Sequence, residues 1–181
     1  MRFTRILLPF VLTVLLASFA VPAQKSRTAE QAVPADPQIH VEPINTEGLK
    51  SLISKPKNKP LLVNFWATWC DPCRDEFPDL VKISSEFEPA TMDFVTVSLD
   101  EAPDIETKVI PFLVKMNAKM PAYLLNVNDP EPAINAVDPK WQGDLPATFL
   151  FNEKGEIIFK HLGRVDTNAL REALKKLPKK S

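Results

Sequence analysis

The chain has 181 residues, 45% of them hydrophobic and 25% charged, with a formal net charge of −1. That balance describes a globular protein able to bury a core, one domain with extensions, and it leaves no basic patch that would suggest nucleic acid. Eighteen prolines against four glycines favour rigid turns and interrupted helices over a flexible linker protein.

Residues 1–23 stand apart from the fold. Met1-Arg-Phe-Thr-Arg5 is a short basic start, and Ile6 to Val21 is apolar and uncharged. Val21-Pro-Ala23 then offers small residues at −3 and −1 of a cleavage point, with Ser18-Phe-Ala20 as a second choice. This is the plan of a secretory signal. Left uncleaved it would serve as an anchor, although an apolar run of about 16 residues is short of the roughly 20 that span a bilayer. Removing Arg2 and Arg5 leaves 20 basic against 23 acidic residues, a net charge of −3 in place of −1. Residues 24–37 are polar and proline-bearing and read as a disordered spacer, residues 38–178 as one domain, and residues 179–181 as a tail.

Within the domain, Ile39 to Ile44 predicts a short edge strand, because Pro43 would break a central ladder. Asn45 or Thr46 caps a helix with Leu49, Leu52 and Ile53 on one face, stopped by Lys55-Pro-Lys-Asn-Lys-Pro60. Leu61 to Ala67 hardly alternates and predicts a strand buried on both faces. The helix after it places Phe77, Leu80, Val81 and Phe87 together, with a kink expected at Pro78. Asp93 to Asp100 predicts a second central strand. Ile105, Val109, Phe112, Leu113 and Met116 recur at helical spacing, interrupted by Pro111. Pro121 to Leu125 predicts a short strand, and residues 126–142 a loop with a short helix. The proline richness of residues 101–142 points to a lid near the cysteines. A hairpin follows over residues 144–160 with Gly155 at its turn. Asp166 or Thr167 caps a last helix with Leu170, Ala173, Leu174 and Leu177 inward and a Glu172–Lys176 pair outward.

The chemistry gathers at Cys70-Asp-Pro-Cys73, where the buried strand hands over to a helix. Unpaired N–H groups and the positive end of the macrodipole favour a thiolate there. Cys70 is therefore expected to titrate below the free thiol value of about 8.5, in the roughly 3.5–7.5 range of such sites. Two sulfurs three positions apart can close a small disulfide and reopen it, which is dithiol redox chemistry. A structural bridge and a metal pair stay open as alternatives, but so small a loop constrains an unfolded chain little. His40 and His161 have no metal-type spacing.

The run Val63-Asn-Phe-Trp-Ala-Thr-Trp-Cys-Asp-Pro-Cys-Arg-Asp-Glu-Phe-Pro78 resembles the active-site signature of the thioredoxin-like family. It is closest to the exported branch that includes TlpA- and ResA-type thiol–disulfide oxidoreductases. Leu145-Pro-Ala-Thr-Phe-Leu-Phe-Asn-Glu-Lys-Gly155 is similar to that family's second signature, the cis-proline loop and hairpin. The resemblance implies a thioredoxin-like α/β fold, a central mixed sheet flanked by helices on both faces. It implies that Cys70 attacks a substrate disulfide and Cys73 resolves the mixed disulfide; attack by Cys73 first is the lesser alternative. It makes Trp69 and Trp66 walls of the site, Pro146 a cis-proline beside the dithiol, and Leu145 the backbone that pairs with an extended substrate. Asp71 and Pro72 lie between the sulfurs and would meet that substrate.

Where cytosolic thioredoxins carry a buried aspartate, this chain has Asn64, which cannot titrate. Glu76, one helical turn after Cys73, is then the candidate for proton exchange, whereas Asp75 reads as a solvated first-turn carboxylate. The lone charge of Asp71 disfavours the Cys70 thiolate and suggests a reductant.

A reductant in an oxidising compartment needs a membrane electron donor. The expected partners are therefore protein disulfides and such a thiol reductase, with peripheral or anchored membrane association. The expected location is the periplasm or the outer face of the cytoplasmic membrane. No cofactor and no metal are expected. For some relatives the substrate is the haem-attachment cysteines of cytochrome c maturation. The rival readings are a copper-binding chaperone using both cysteines with a histidine, a redoxin-type thiol peroxidase, and a binding domain that keeps the dithiol as a staple.

Overall fold

A computed structural model describes residues 39–54, 58–87 and 91–178. The signal-like segment, the spacer and the tail lie outside the described residues. Among those described, no helix is long and apolar enough to cross a membrane. Six strands form one sheet: β1 (Val41–Ile44), β2 (Leu61–Trp66), β3 (Asp93–Ser98), β4 (Ala122–Leu125), β5 (Ala147–Phe151) and β6 (Ile157–Leu162). Their order is β1-β4-β3-β2-β5-β6. The first four in that order run parallel, and β5 and β6 join antiparallel. The helices are α1 (Thr46–Ser54), α2 (Asp71–Phe87), α3 (Ile110–Lys115), α4 (Glu131–Val137) and α5 (Thr167–Lys175). The fold is the expected mixed sheet with helices on both faces.

The absence of alternation in β2 has its physical counterpart here, since all six of its residues are buried. Leu62 and Trp66 join one core with Phe77, Leu80, Leu170 and Leu174. Leu61, Val63 and Phe65 join the other, with Leu49, Ile53 and Trp141. The two faces of one strand therefore hold the two layers together, as expected where helices cover both sides of a parallel sheet. Pro43 is tolerated because β1 is an edge. The Ile44 carbonyl accepts the Asn126 N–H at 2.8 Å, and strand alternation then turns Pro43 away from the ladder.

The caps explain the helix starts. The Asn45 side chain accepts from the Gly48 N–H at 2.8 Å, and Asp166 accepts from Asn168 and Ala169 at 2.9 and 3.1 Å. Helix α2 runs on through Pro78, which lies on its exposed side. Before α3 the chain makes one π-helical turn, Ile105–Val109, closed by the Ile110 N–H on the Ile105 carbonyl. Pro111 has no N–H for the next bond, so the ladder changes register there.

Several expectations need correcting. Strand β3 ends at Ser98, not at Asp100. Residues 101–142 are not a single lid, because β4 is inserted between β1 and β3 and only parts of the range lie near Trp69. Glu172 pairs with Lys175 at 2.8 Å instead of Lys176, because the helix ends at Lys175 and Lys176 leaves its regular face. A contact between helices went unread: Arg171 grips Glu86 through two bonds of 2.7 and 2.9 Å and ties α5 to α2. That contact holds the Glu86 carboxyl below its usual range.

Gly155 and Gly163 give a test of how the hairpin seats. Both have positive φ, +81° and +82°, but a Cβ on Gly155 would stand 2.8 Å from the Ile53 carbonyl oxygen, whereas one on Gly163 meets nothing within 4 Å. Gly163→Ala is expected to cost about 1 kcal/mol from backbone strain alone. Gly155→Ala is expected to cost about 2–3 kcal/mol because helix backbone cannot yield. Urea unfolding of the two variants checks the difference.

Candidate active site

The chain reaches the cysteines through a loop held from several sides. Beyond β2, the Trp66 carbonyl accepts from the Leu99 N–H at 2.8 Å. The Thr68 N–H donates to the Asp100 carboxylate at 2.9 Å, and its hydroxyl donates to the other oxygen of the same group. The Ser98 hydroxyl also donates to Asp100. The Arg74 guanidinium takes the Thr68 carbonyl at 2.7 Å. Asp100 is 4% exposed, so this carboxylate, at the end of the strand beside β2, fixes the segment that delivers Cys70. Its place could have been read only from the pairing of β2 with β3; nothing local in the sequence marks it.

Cys70 then stands where a helix cap belongs. Its carbonyl accepts the first α2 bond, from the Arg74 N–H at 3.1 Å, and its sulfur accepts from the Cys73 N–H at 3.3 Å. Sulfur thus takes the role that a Ser or Asp oxygen usually fills, with the helix dipole behind it. Pro72 needs no N–H in the first turn of a helix, and it lies exposed between the sulfurs. Cys70 and Cys73 are joined as a disulfide. Cys70 keeps 6% exposure and Cys73 none, so the first sulfur is the one an incoming chain can reach.

Asp71 is exposed and paired with Arg74. The argument from an isolated carboxylate between the sulfurs is therefore corrected, since a guanidinium one turn along offsets its charge. Asp75 is exposed, as read. Trp69 is 64% exposed. Trp66 belongs to the core, its ring centroid 4.8 Å from Phe77 and 4.9 Å from Phe112.

The Leu145–Pro146 bond is cis. Pro146 directly precedes β5, whose Ala147 pairs with Phe65, so it lies at the end of the sheet from which β2 runs toward Cys70. The Pro146 carbonyl accepts from Gly163 at 2.8 Å. Leu145 packs on the core cluster that contains both cysteines.

One helical turn after Cys73 lies a buried polar set. Glu76 is 1% exposed. One of its oxygens accepts from the Asn64 amide at 3.1 Å and the other from the Val165 N–H at 2.7 Å. The same amide donates to Thr148 at 3.2 Å. Burial pushes the Glu76 carboxyl up, against the downward pull of the Val165 N–H, the Asn64 amide and the Arg164 charge. Asn64 is thus no idle replacement for a titratable residue; it orients one. His161 sits within β6, opposite Thr148. Among the described residues no three of His, Cys, Asp and Glu gather where they could hold a metal.

Comparison with known proteins agrees with this geometry. The model of the AhpC/TSA family matches residues 35–160. The thiol-disulfide oxidoreductase ResA of Halalkalibacterium halodurans is 26% identical over 156 residues, covering 86% of this chain and 80% of its own. The thioredoxin-like protein YneN of Bacillus subtilis is 30% identical, covering 70% of each chain. Among solved structures, a thioredoxin-related protein from Neisseria meningitidis serogroup B superimposes with a TM-score of 0.56 at 28% identity, covering 66% of this chain and 84% of that one.

The Glu76 environment sets a pH dependence. Its carboxyl holds a proton in the folded state above the ordinary value of 4.5, so its stabilising contribution is complete below that pH. It is lost as pH rises through the raised folded value. Measured by urea unfolding of the oxidised protein, wild-type stability should fall relative to Glu76→Gln by up to about 1.4 kcal/mol per pH unit across that window. A constant difference would mean that ionisation there carries no penalty. Because Gln can accept only one of the two donors, the variant should also start about 1–3 kcal/mol less stable.

Proposed function

Since the chain belongs to the AhpC/TSA family and is a thioredoxin-like thiol–disulfide oxidoreductase, we propose that it acts as a reductant of protein disulfides outside the cytoplasm. The observation that carries the dithiol exchange is the sulfur of Cys70 at the α2 cap, in a residue 6% exposed and bonded to a fully buried Cys73; the reducing direction rests on the resemblance to the ResA-type branch. In the reduced protein the Cys70 thiolate attacks one sulfur of a substrate disulfide and releases the other as a thiolate. A mixed disulfide results. Cys73 then loses its proton and attacks Cys70, freeing the second substrate thiol and regenerating the Cys70–Cys73 bond. Two electrons pass to the substrate in each cycle. An electron donor at the membrane restores the dithiol, and the signal-like segment carries the domain to that side.

Glu76 is the proton acceptor for Cys73 in this scheme. It lies one turn along the same helix, is buried, and has a carboxyl that burial pushes above its ordinary value. Leu145, ahead of the cis-bonded Pro146, offers backbone to an extended substrate, while Trp69, Asp71 and Pro72 form the exposed surface around Cys70. Haem-attachment cysteines of an apocytochrome are one substrate that such a reductant serves.

The peroxidase reading is less favoured, because no proline precedes Thr68-Trp-Cys70 and the Thr68 hydroxyl is engaged by Asp100. The copper reading loses its third ligand, because His161 sits on β6, two strands from β2.

Three measurements test the proposal. Equilibration with glutathione should give a potential well below −150 mV; a value above about −150 mV would place the protein among oxidants. Cys73→Ser should accumulate mixed disulfides through Cys70, and Cys70→Ser none. Glu76→Gln should slow the resolving step about 10²-fold, the low end for general base catalysis, while leaving initial capture by Cys70 within about twofold.

A further inference from the structure

A cleft of about 500 Å³ opens directly beside Trp69, lined by Leu99, Asp100, Glu101, Leu125, Val127 and Pro130 among others. It lies beyond the carboxyl ends of β3 and β4, where open α/β sheets receive ligands. Its wall is largely aliphatic, with Leu125 buried, Leu99 and Val127 half-buried, and Pro130 exposed at the rim. Its charged lining is acidic alone: Asp100 and Glu101, with no lysine, arginine or histidine. Just outside, Asp129 and Glu131 flank Pro130, and both are exposed. Two cations close in sequence to its lining are already engaged. Lys108 pairs with Asp104 at 3.0 Å, and Arg74, which reaches the Thr68 carbonyl, pairs with Asp71. Asp100 is turned inward to Thr68 and Ser98, which leaves Glu101 as the carboxylate that meets a visitor.

Resting on the dithiol exchange proposed above, we infer that this cleft seats a lysine or arginine side chain of the substrate polypeptide, one to three residues from the cysteine that Cys70 attacks. Trp69, which lines the cleft, directly precedes Cys70 in the chain. An extended substrate advancing about 3.4 Å per residue therefore brings a side chain a few residues from its cysteine to the cleft. The aliphatic stem of the cation lies along Leu99, Val127 and Pro130, and its head reaches Glu101 at the rim. The exposed Trp69 ring covers the bound cation from the side of the disulfide, an arrangement that favours arginine or lysine over a neutral residue. The cleft thereby selects among disulfides that Cys70 could attack equally well by chemistry alone.

The test uses three disulfide-bridged peptides that differ only in the two residues next to one cysteine: Lys-Lys, Ser-Ser or Glu-Glu. Reduction of each by the full-length dithiol protein is followed at low and high salt. The Lys peptide should react about tenfold faster than the Glu peptide at low salt, and the ratio should shrink toward twofold at about 1 M salt, where the screening length is near 3 Å. In the double variant Glu101→Gln with Asp129→Asn, the low-salt ratio should fall to about twofold while the Ser peptide reacts as with wild type. Equal rates for Lys and Glu peptides, or an undiminished ratio in the double variant, would overturn the assignment of the cleft. Failure to reduce even the Ser peptide would instead overturn the oxidoreductase reading on which it rests.

Discussion

The 3.3 Å contact between the Cys73 N–H and the Cys70 sulfur is the constraint around which the rest is arranged. A helix must begin with unpaired N–H groups, and here the atom presented to them is one that can carry negative charge and exchange electrons. Everything upstream serves to bring that atom to that place. Strand β2 is buried along its whole length and cannot shift. The Leu99 and Trp66 backbones are bonded across strand ends, and Thr68 is gripped by Asp100 and Arg74. Downstream, Pro72 starts the helix without wasting a donor. The sulfur is therefore positioned by the sheet rather than by its own short loop.

Below it the core gives up part of its apolar character. Glu76, Asn64 and Thr148 are all buried, with the Asn64 amide donating to both of the others and with Asn64 Oδ1 and Thr96 Oγ1 unpartnered nearby on adjacent strands. An apolar set of equal volume would stabilise the domain more, since unpaired buried polar atoms cost about 1–3 kcal/mol each. Stability ceded at this spot is typical of sites whose arrangement serves reaction more than folding. The companion helix contacts, such as Arg171 with Glu86, lie on the surface well away from it.

Much of this was legible beforehand, and the reason differs from residue to residue. The non-alternating run of β2, the caps at Asn45 and Asp166 and the hairpin turn at Gly155 are local consequences of sequence, so local rules found them. The cysteine pair was legible from its place between a buried strand and a helix start, and the loop at Pro146 through the family resemblance. Asp100 and the Glu172–Lys175 pair were not, and neither was the charge of Asp71, whose meaning changes once Arg74 lies against it. Each of these depends on which strand lies beside which, or on where a helix ends to within one residue. Periodicity carries no such information.

At its far side the sheet ends in β6, where Ile157, Ile158 and Leu162 are exposed. Such an edge invites adhesion by other chains, yet a register shift opposite Leu150 and Phe151 distorts the ladder. Midway along it, Lys160 is pinned to Asp138 at 2.7 Å. Irregularity and a fixed charge are the usual guards against unwanted β-pairing. A domain that exchanges disulfides with other polypeptides meets strands looking for a template. At its outer border such a strand would meet an uneven ladder and a fixed charge instead of a flat template.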